Sequence, residues 1–112
     1  MNVYADTKNE SHGGGRQMNG HYATPYVDKQ GQWIEQKSTV NISGQVSCTA
    51  GQMAHAVGLA LASKLYRTNK ELQNTTFSTE GNEICFATIG DASTSEGVFW
   101  ESINAVGVMQ VP

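Results

Sequence analysis

Ile84-Cys85-Phe86-Ala87-Thr88-Ile89 is an uncharged run that starts after Asn82-Glu83 and closes on Gly90-Asp91. Six such residues between polar stretches read as a strand covered on both faces, the pattern of a central strand in a parallel sheet. The flanking segments have a different period. From about residue 49 to 67, Met53, Val57, Ala60, Leu61 and Leu65 recur at helical spacing, and alanines at 50, 54, 56, 60 and 62 add helix propensity and keep the helix thin. A second helix is expected over about 95–107, with Phe99, Ile103 and Val106 on one face, and "VMQVP" reads as the entry to another strand. Helix, strand, helix and strand entry is the order of an α/β fold with a mainly parallel sheet. One and a half strands do not complete such a sheet. The expectation is therefore a truncated α/β domain, a piece of a longer chain that stops where the next strand begins, with Met1 as an internal methionine.

Local signals set the expected ends of the first helix. Ser47 or Thr49 can cap its start, and Lys64 and Arg67 sit where the helix dipole favours cations. Residues 68–82 read as a polar surface connection.

Residues 1–45 sustain neither period. They carry Gly13-Gly14-Gly15, Gly20, Gly31, Gly44 and Pro25, and read as long ordered loops with one short strand near Gln32–Ile34. A loop region of that length in a compact domain points to a segment that packs on a ligand or a second subunit. The division expected is a loop-rich active-site or interface segment, 1–45, and a partial α/β domain, 46–112.

Charge and composition exclude some classes of partner. The net charge is −3, and the seven Lys and Arg do not cluster, so neither a nucleic-acid surface nor a polybasic membrane surface is expected. No apolar run approaches the ~20 residues of a membrane span. "MNVYADTKNE" lacks the layout of an export signal, which favours the cytoplasm. Cys48 and Cys85 lack metal-ligand spacing and are expected to be reduced.

Asp91 is the residue with chemistry to explain. Ligands of open α/β sheets bind beyond the carboxyl ends of the strands, where Asp91 stands. The helix that follows offers backbone N–H groups to a phosphate. Magnesium takes one or two protein carboxylates with phosphate oxygens and water. Asp91 is thus either a metal ligand over a phosphate or a residue that caps the second helix or its turn.

"GDASTSEGVFWESIN", from Gly90 to Asn104, resembles the thiamine-diphosphate motif of the 2-oxo acid dehydrogenase family. Gly90, Asp91, Glu96, Gly97 and Asn104 stand in register, with Ala92 where the family usually has Gly. If the backbone at Ala92 had φ > 0, the substitution would cost roughly 1 kcal/mol. "GRQMNGHYATP", Gly15 to Pro25, is similar to a segment of the branched-chain 2-oxo acid decarboxylase α subunit. "VSCTAGQMAHAVGLALASKL", Val46 to Leu65, is similar to that subunit's cofactor-binding turn and the Ala-rich helix behind it. The three motifs run in family order from about residue 13 to Pro112.

This resemblance implies a partial thiamine-diphosphate-binding fold, three-layered with a mainly parallel sheet, from the α subunit or α region of a decarboxylase component. It implies thiamine diphosphate and magnesium as cofactors, with Asp91 on the metal and Gly90, Ala92 and Ser93 at the diphosphate. It also places Ser47 and Thr49 at the aminopyrimidine. Relatives hold a monovalent cation at the turn through a Thr and a Gln; here Gln52 matches the Gln, while Gly51 replaces the Thr.

His21 falls where the family keeps a catalytic histidine, against the alternative of a loop histidine holding carbonyls. Arg16 reads as a loop tie or a phosphate contact. The implied reaction is oxidative decarboxylation of a small branched-chain 2-oxo acid, with acyl transfer to the lipoyl group of a partner acyltransferase. The implied assembly is a homodimer or α2β2 type containing a β-type region. The 112 residues alone are expected to be inactive. The alternatives are a pyruvate- or acetoin-type or transketolase-like thiamine-diphosphate enzyme, and a non-enzymatic α/β binding module.

Overall fold

The structure, a computed structural model, describes residues 8, 23–44, 46–73 and 75–112. The chain divides into two compact units, Met1–Gln45 and Val46–Pro112.

In the first unit an antiparallel bridge joins Val27 to Trp33, all that forms of the short strand expected near Gln32–Ile34. The reversal between them is built by Asp28, whose Oδ1 accepts from the N–H groups of Gln30 (2.9 Å) and Gln32 (2.8 Å). Gly31 takes the positive φ of 77° that the turn requires. Gln36 is buried, and its Nε2 donates to the Ile34 carbonyl at 2.8 Å. The Ser38 hydroxyl and nearby backbone N–H groups donate to the exposed Glu35 carboxylate and hold its pKa below the ordinary value.

The second unit holds two helices, α1 (Gly51–Thr68) and α2 (Gly97–Met109), which pack on one another. A 3-10 turn at Lys70–Leu72 follows α1, and another at Ala92–Ser95 precedes α2. Neither Ser47 nor Thr49 caps α1. The capping position is taken by Ala50, in the left-handed region at φ 60°, with no side-chain cap bond. The buried stripe also differs from the hydropathy pattern. Ala60 and Ser63 are the buried residues of α1, while Leu65, the expected end of the stripe, is exposed. On α2 the buried residue is Ser102, and Ile103 is exposed. Small side chains occupy the fully buried positions, while Met53, Val57 and Leu61 of α1 and Phe99 and Val106 of α2 are half-buried, so most of each expected stripe does face inward. Val108 and Met109 belong to α2, which ends on Gln110 at φ 48°, so "VMQVP" is mostly helix end rather than strand entry.

Residues 84–89 make no ladder with any strand among the described residues. Their burial nevertheless alternates as a pleated strand requires. Cys85, Ala87 and Ile89 are half-buried, whereas Ile84 and Phe86 are 76% and 87% exposed. The odd-numbered face meets the helices. Cys85 and Ala87 line a pocket of about 270 Å³ with Met53, Val57, Ala60 and Val106. The run expected to be covered on both faces is covered on one.

Two clamps hold this segment along α1. At its start, the Gly81 carbonyl accepts from Ser63 Oγ (2.9 Å), Arg67 Nη2 (2.6 Å) and Arg67 Nε (3.2 Å), and the Ser63 hydroxyl also lies 2.8 Å from the Glu83 carbonyl. At its end, Gln52 Nε2 donates to the Thr88 carbonyl at 2.9 Å. The direction follows from the pairing. The start of α1 holds the end of the segment, so the two run antiparallel. Their lengths agree: from Gln52 to Ser63 a helix rises about 16 Å, and from Glu83 to Thr88 an extended chain spans about the same.

The connection expected to be plain polar surface contains the first clamp's turn. Glu80 (φ 55°) and Gly81 (φ 72°) are consecutive left-handed residues, and the Asn82 N–H returns to the Thr79 carbonyl at 3.1 Å, the form of a type I′ turn. Ser78 and Glu83 close it. The Gly81 N–H donates to Ser78 Oγ, the Ser78 hydroxyl donates to Glu83 Oε2 (each 2.8 Å), and the Thr79 N–H donates to Glu83 Oε1. A Cβ on Gly81 would stand 2.3 Å from the Ser63 carbonyl oxygen and 2.6 Å from the Arg67 nitrogen, both backbone atoms of α1. Gly81→Ala is therefore expected to destabilise the chain by roughly 2–4 kcal/mol, through strain at positive φ and the forced separation from α1. Urea denaturation measures this; a loss below ~1 kcal/mol would mean that the turn can leave α1 at little cost.

Candidate functional site

The end of the extended segment carries Gly90 and Asp91. The chain then tightens into the 3-10 turn, and its hydrogen bonds fix the backbone at Asp91. The Asp91 carbonyl accepts from the Thr94 N–H (3.1 Å) and from Thr94 Oγ1 (2.7 Å). The Gly90 carbonyl accepts from the Ser93 N–H at 3.0 Å, and the Ser93 carbonyl accepts from the Glu96 N–H at 3.1 Å. These bonds use the backbone of Asp91 and leave its carboxylate aside. That carboxylate is exposed and makes no cap bond, although Asp91 stands at the capping position of the turn. The capping position of α2 belongs to Glu96, five residues later. Of the two readings of Asp91, capping of the second helix does not occur.

Ala92 lies within the 3-10 turn and is not among the positive-φ residues. The strain that an alanine would suffer at φ > 0 does not arise. The turn's own bonds engage the Ser93, Thr94 and Glu96 N–H groups and leave out that of Ala92. Glu96, Gly97 and Asn104, the other motif positions, are all exposed on the surface of this unit.

The second expected site segment is the turn before α1. Ser47, Cys48 and Thr49 are exposed, Ala50 is buried, and the Gly51 N–H returns to the Cys48 carbonyl at 2.9 Å. The left-handed alanine is a genuine strain point, costing about 1 kcal/mol or more. Gly51 is small for a visible reason: a Cβ there would lie 2.8 Å from Val46 Cγ2. The Gln52–Thr88 bond ties this turn's helix to the chain three residues before Asp91. His21, expected at the site, lies outside the described residues, as does Arg16.

A divalent ion can be tested against this donor set. Among the described residues no three His, Cys, Asp or Glu gather into a metal cluster. One exposed carboxylate with a fixed backbone suits magnesium, which keeps water and phosphate oxygens as its remaining ligands. It does not suit a structural zinc site, which needs four protein ligands. The residues present fit the expected ion.

A family model described as dehydrogenase E1 component matches residues 2–112. The chain belongs to the dehydrogenase E1 component family. Searches of curated proteins and of solved structures gave no significant match. The family is the one to which the three motifs pointed. Its members are thiamine-diphosphate-dependent components of 2-oxo acid dehydrogenases that form oligomers and work with acyltransferase partners. No helix among the described residues of this E1 chain is long and apolar enough to cross a membrane.

The two cysteines of the E1 chain are free and differ in setting. Cys48 is exposed in the turn before α1; Cys85 is half-buried, and burial pushes its thiol pKa up. A raised pKa means less thiolate at a given pH, and thiolate is the reacting form. At pH 8, iodoacetamide is expected to modify Cys48 roughly tenfold faster than Cys85, read by peptide mass spectrometry. Equal rates would show that Cys85 is as open to solvent as Cys48.

Proposed function

We propose that this chain is the cofactor-anchoring part of the α-type region of an E1 component acting on a branched-chain 2-oxo acid. In this reading Asp91 would hold magnesium beside the diphosphate, and Gly90, Ala92 and Ser93 would shape the backbone around the phosphates. The Ala92 N–H is the donor of that turn best placed to serve them, because the Ser93 N–H already closes on Gly90. The turn carrying Ser47 and Thr49 positions the aminopyrimidine, and His21 assists at the reacting end. Thiamine diphosphate, when bound, supplies the electron sink that decarboxylation of a 2-oxo acid requires. The chain's own work is to bind and orient: Thr94 fixes Asp91, and Asp91 presents a negative oxygen pair to the ion.

The observation that carries this reading is the state of Asp91. Its backbone is held by Thr94, and its carboxylate is exposed and uncapped within a motif of the matched family. A carboxylate kept for a turn would be bonded to that turn. Branched-chain specificity rests on the similarity of the Gly15–His21 segment. Acyl transfer to a lipoyl group on the acyltransferase, a β-type region completing the site and an α2β2-type or homodimeric assembly belong to the same reading. So does a parallel sheet in which neighbouring strands cover the exposed face of Ile84 and Phe86.

The test is calorimetry of thiamine diphosphate on the E1 protein in its native assembly, with and without magnesium. Binding is expected to need the ion, and Asp91→Asn is expected to weaken it roughly 100-fold while leaving the melting temperature without cofactor unchanged. Unaltered affinity in Asp91→Asn would end the proposal. Activity on branched-chain 2-oxo acids against pyruvate then decides the substrate class.

A further inference from the structure

We propose that Gln52 is a positioning residue that holds the two halves of the cofactor site in register and does so without a monovalent cation. The inference rests on the reading of the 47–49 and 90–93 turns as cofactor-binding. Gln52 is the second residue of α1, just after the Ser47–Thr49 turn, and its amide Nε2 donates to the Thr88 carbonyl at 2.9 Å. A carbonyl accepts only, so this contact fixes which side of the amide faces the segment. Thr88 is three residues before Asp91. One side chain thus links the helix that follows the turn assigned to the aminopyrimidine to the segment that leads into the turn assigned to the metal and diphosphate.

The cation that relatives are expected to hold at this turn does not fit here. Its hydroxyl ligand is missing, because Gly51 stands where the Thr would be. Restoring a side chain is opposed by packing, since a Cβ at Gly51 meets Val46 Cγ2 at 2.8 Å. Valine is branched at Cβ and cannot swing that methyl aside freely. The matching Gln commits its amide donor to a backbone carbonyl and keeps Oε1 alone, one side-chain ligand where the Thr and Gln pair would give two. A direct hydrogen bond thus links α1 to the segment leading to Asp91 with no ion between them.

The experiment measures thiamine-diphosphate affinity, in magnesium, for the native E1 assembly and for Gln52→Met, which keeps the side chain's length and removes its donor. The variant is expected to bind the cofactor about tenfold more weakly, the size of effect that one neutral hydrogen bond carries. Its kcat at saturating cofactor is expected to stay within about twofold of wild type, a split that general destabilisation would not produce. Replacing potassium by choline is expected to leave wild-type affinity unchanged. Unchanged affinity in Gln52→Met, or wild-type affinity that rises several-fold with added potassium, overturns the inference. The potassium titration needs no variant and decides the cation even if Gln52→Met fails to fold. Wild-type protein that binds no thiamine diphosphate would end the parent reading, and this one with it. A wild type that binds, with an unaffected variant, ends this one alone.

Discussion

The second unit depends on an extended segment laid antiparallel along one helix and clamped at both ends. Ser63 and Arg67, in the last turns of α1, take the carbonyl of Gly81, Ser63 also reaches that of Glu83, and Gln52, in the first turn, takes that of Thr88. Both ends can be held at once because eleven helical residues and five extended ones span nearly the same length. Arg67 is a fork of donors on a single carbonyl, and Gly81 can approach the helix backbone because it lacks a side chain. Without the clamps, residues 84–89 would have no ladder among the described residues to define their path.

That path places the Asp91 carboxylate. A segment clamped at Thr88 to the first turn of α1 carries Gly90 and Asp91 two and three residues beyond that clamp. The 3-10 turn then fixes the Asp91 backbone through Thr94. Position comes from main-chain hydrogen bonds, so the side chain is left with its full capacity to accept. A site built this way can hold a hard cation with a single protein ligand, because phosphate and water fill the other places.

The same unit leaves much apolar surface uncovered. Ile84, Phe86 and Val108 are more than three-quarters exposed, Trp100 is 60% exposed, and the buried apolar residues among those described are only Ala50 and Ala60. Exposed apolar side chains in this number fit contact with further structure. Membership of a family whose members form oligomers gives a physical setting for it. The buried serines belong to the same picture. Ser63 is buried because its hydroxyl finds two carbonyls, which a leucine there could not serve.

The sequence by itself determined the two helices to within about two residues, the place of Asp91 beyond an apolar run, and the family, through motifs spaced along the chain. These are local properties: helical period, alanine content, and residue types at fixed offsets. It also placed most of the inward face, since Met53, Val57, Ala60, Leu61, Phe99 and Val106 are buried or half-buried, but not which residues are most deeply covered. Leu65 and Ile103 fit a helical stripe, yet Ser63 and Ser102 are the buried residues, because burial depends on which side the neighbouring element approaches. Nor did it determine the clamps. Ser63 and Gly81 are eighteen residues apart, Gln52 and Thr88 thirty-six, and no local pattern marks a side chain that bonds to a distant carbonyl. The Glu80-Gly81 turn left a faint local signal, but its role as the dock on α1 did not. Only the tertiary structure decided that Asp91 does not cap, because a carboxylate at a turn has the same sequence whether it bonds its own backbone or faces outward.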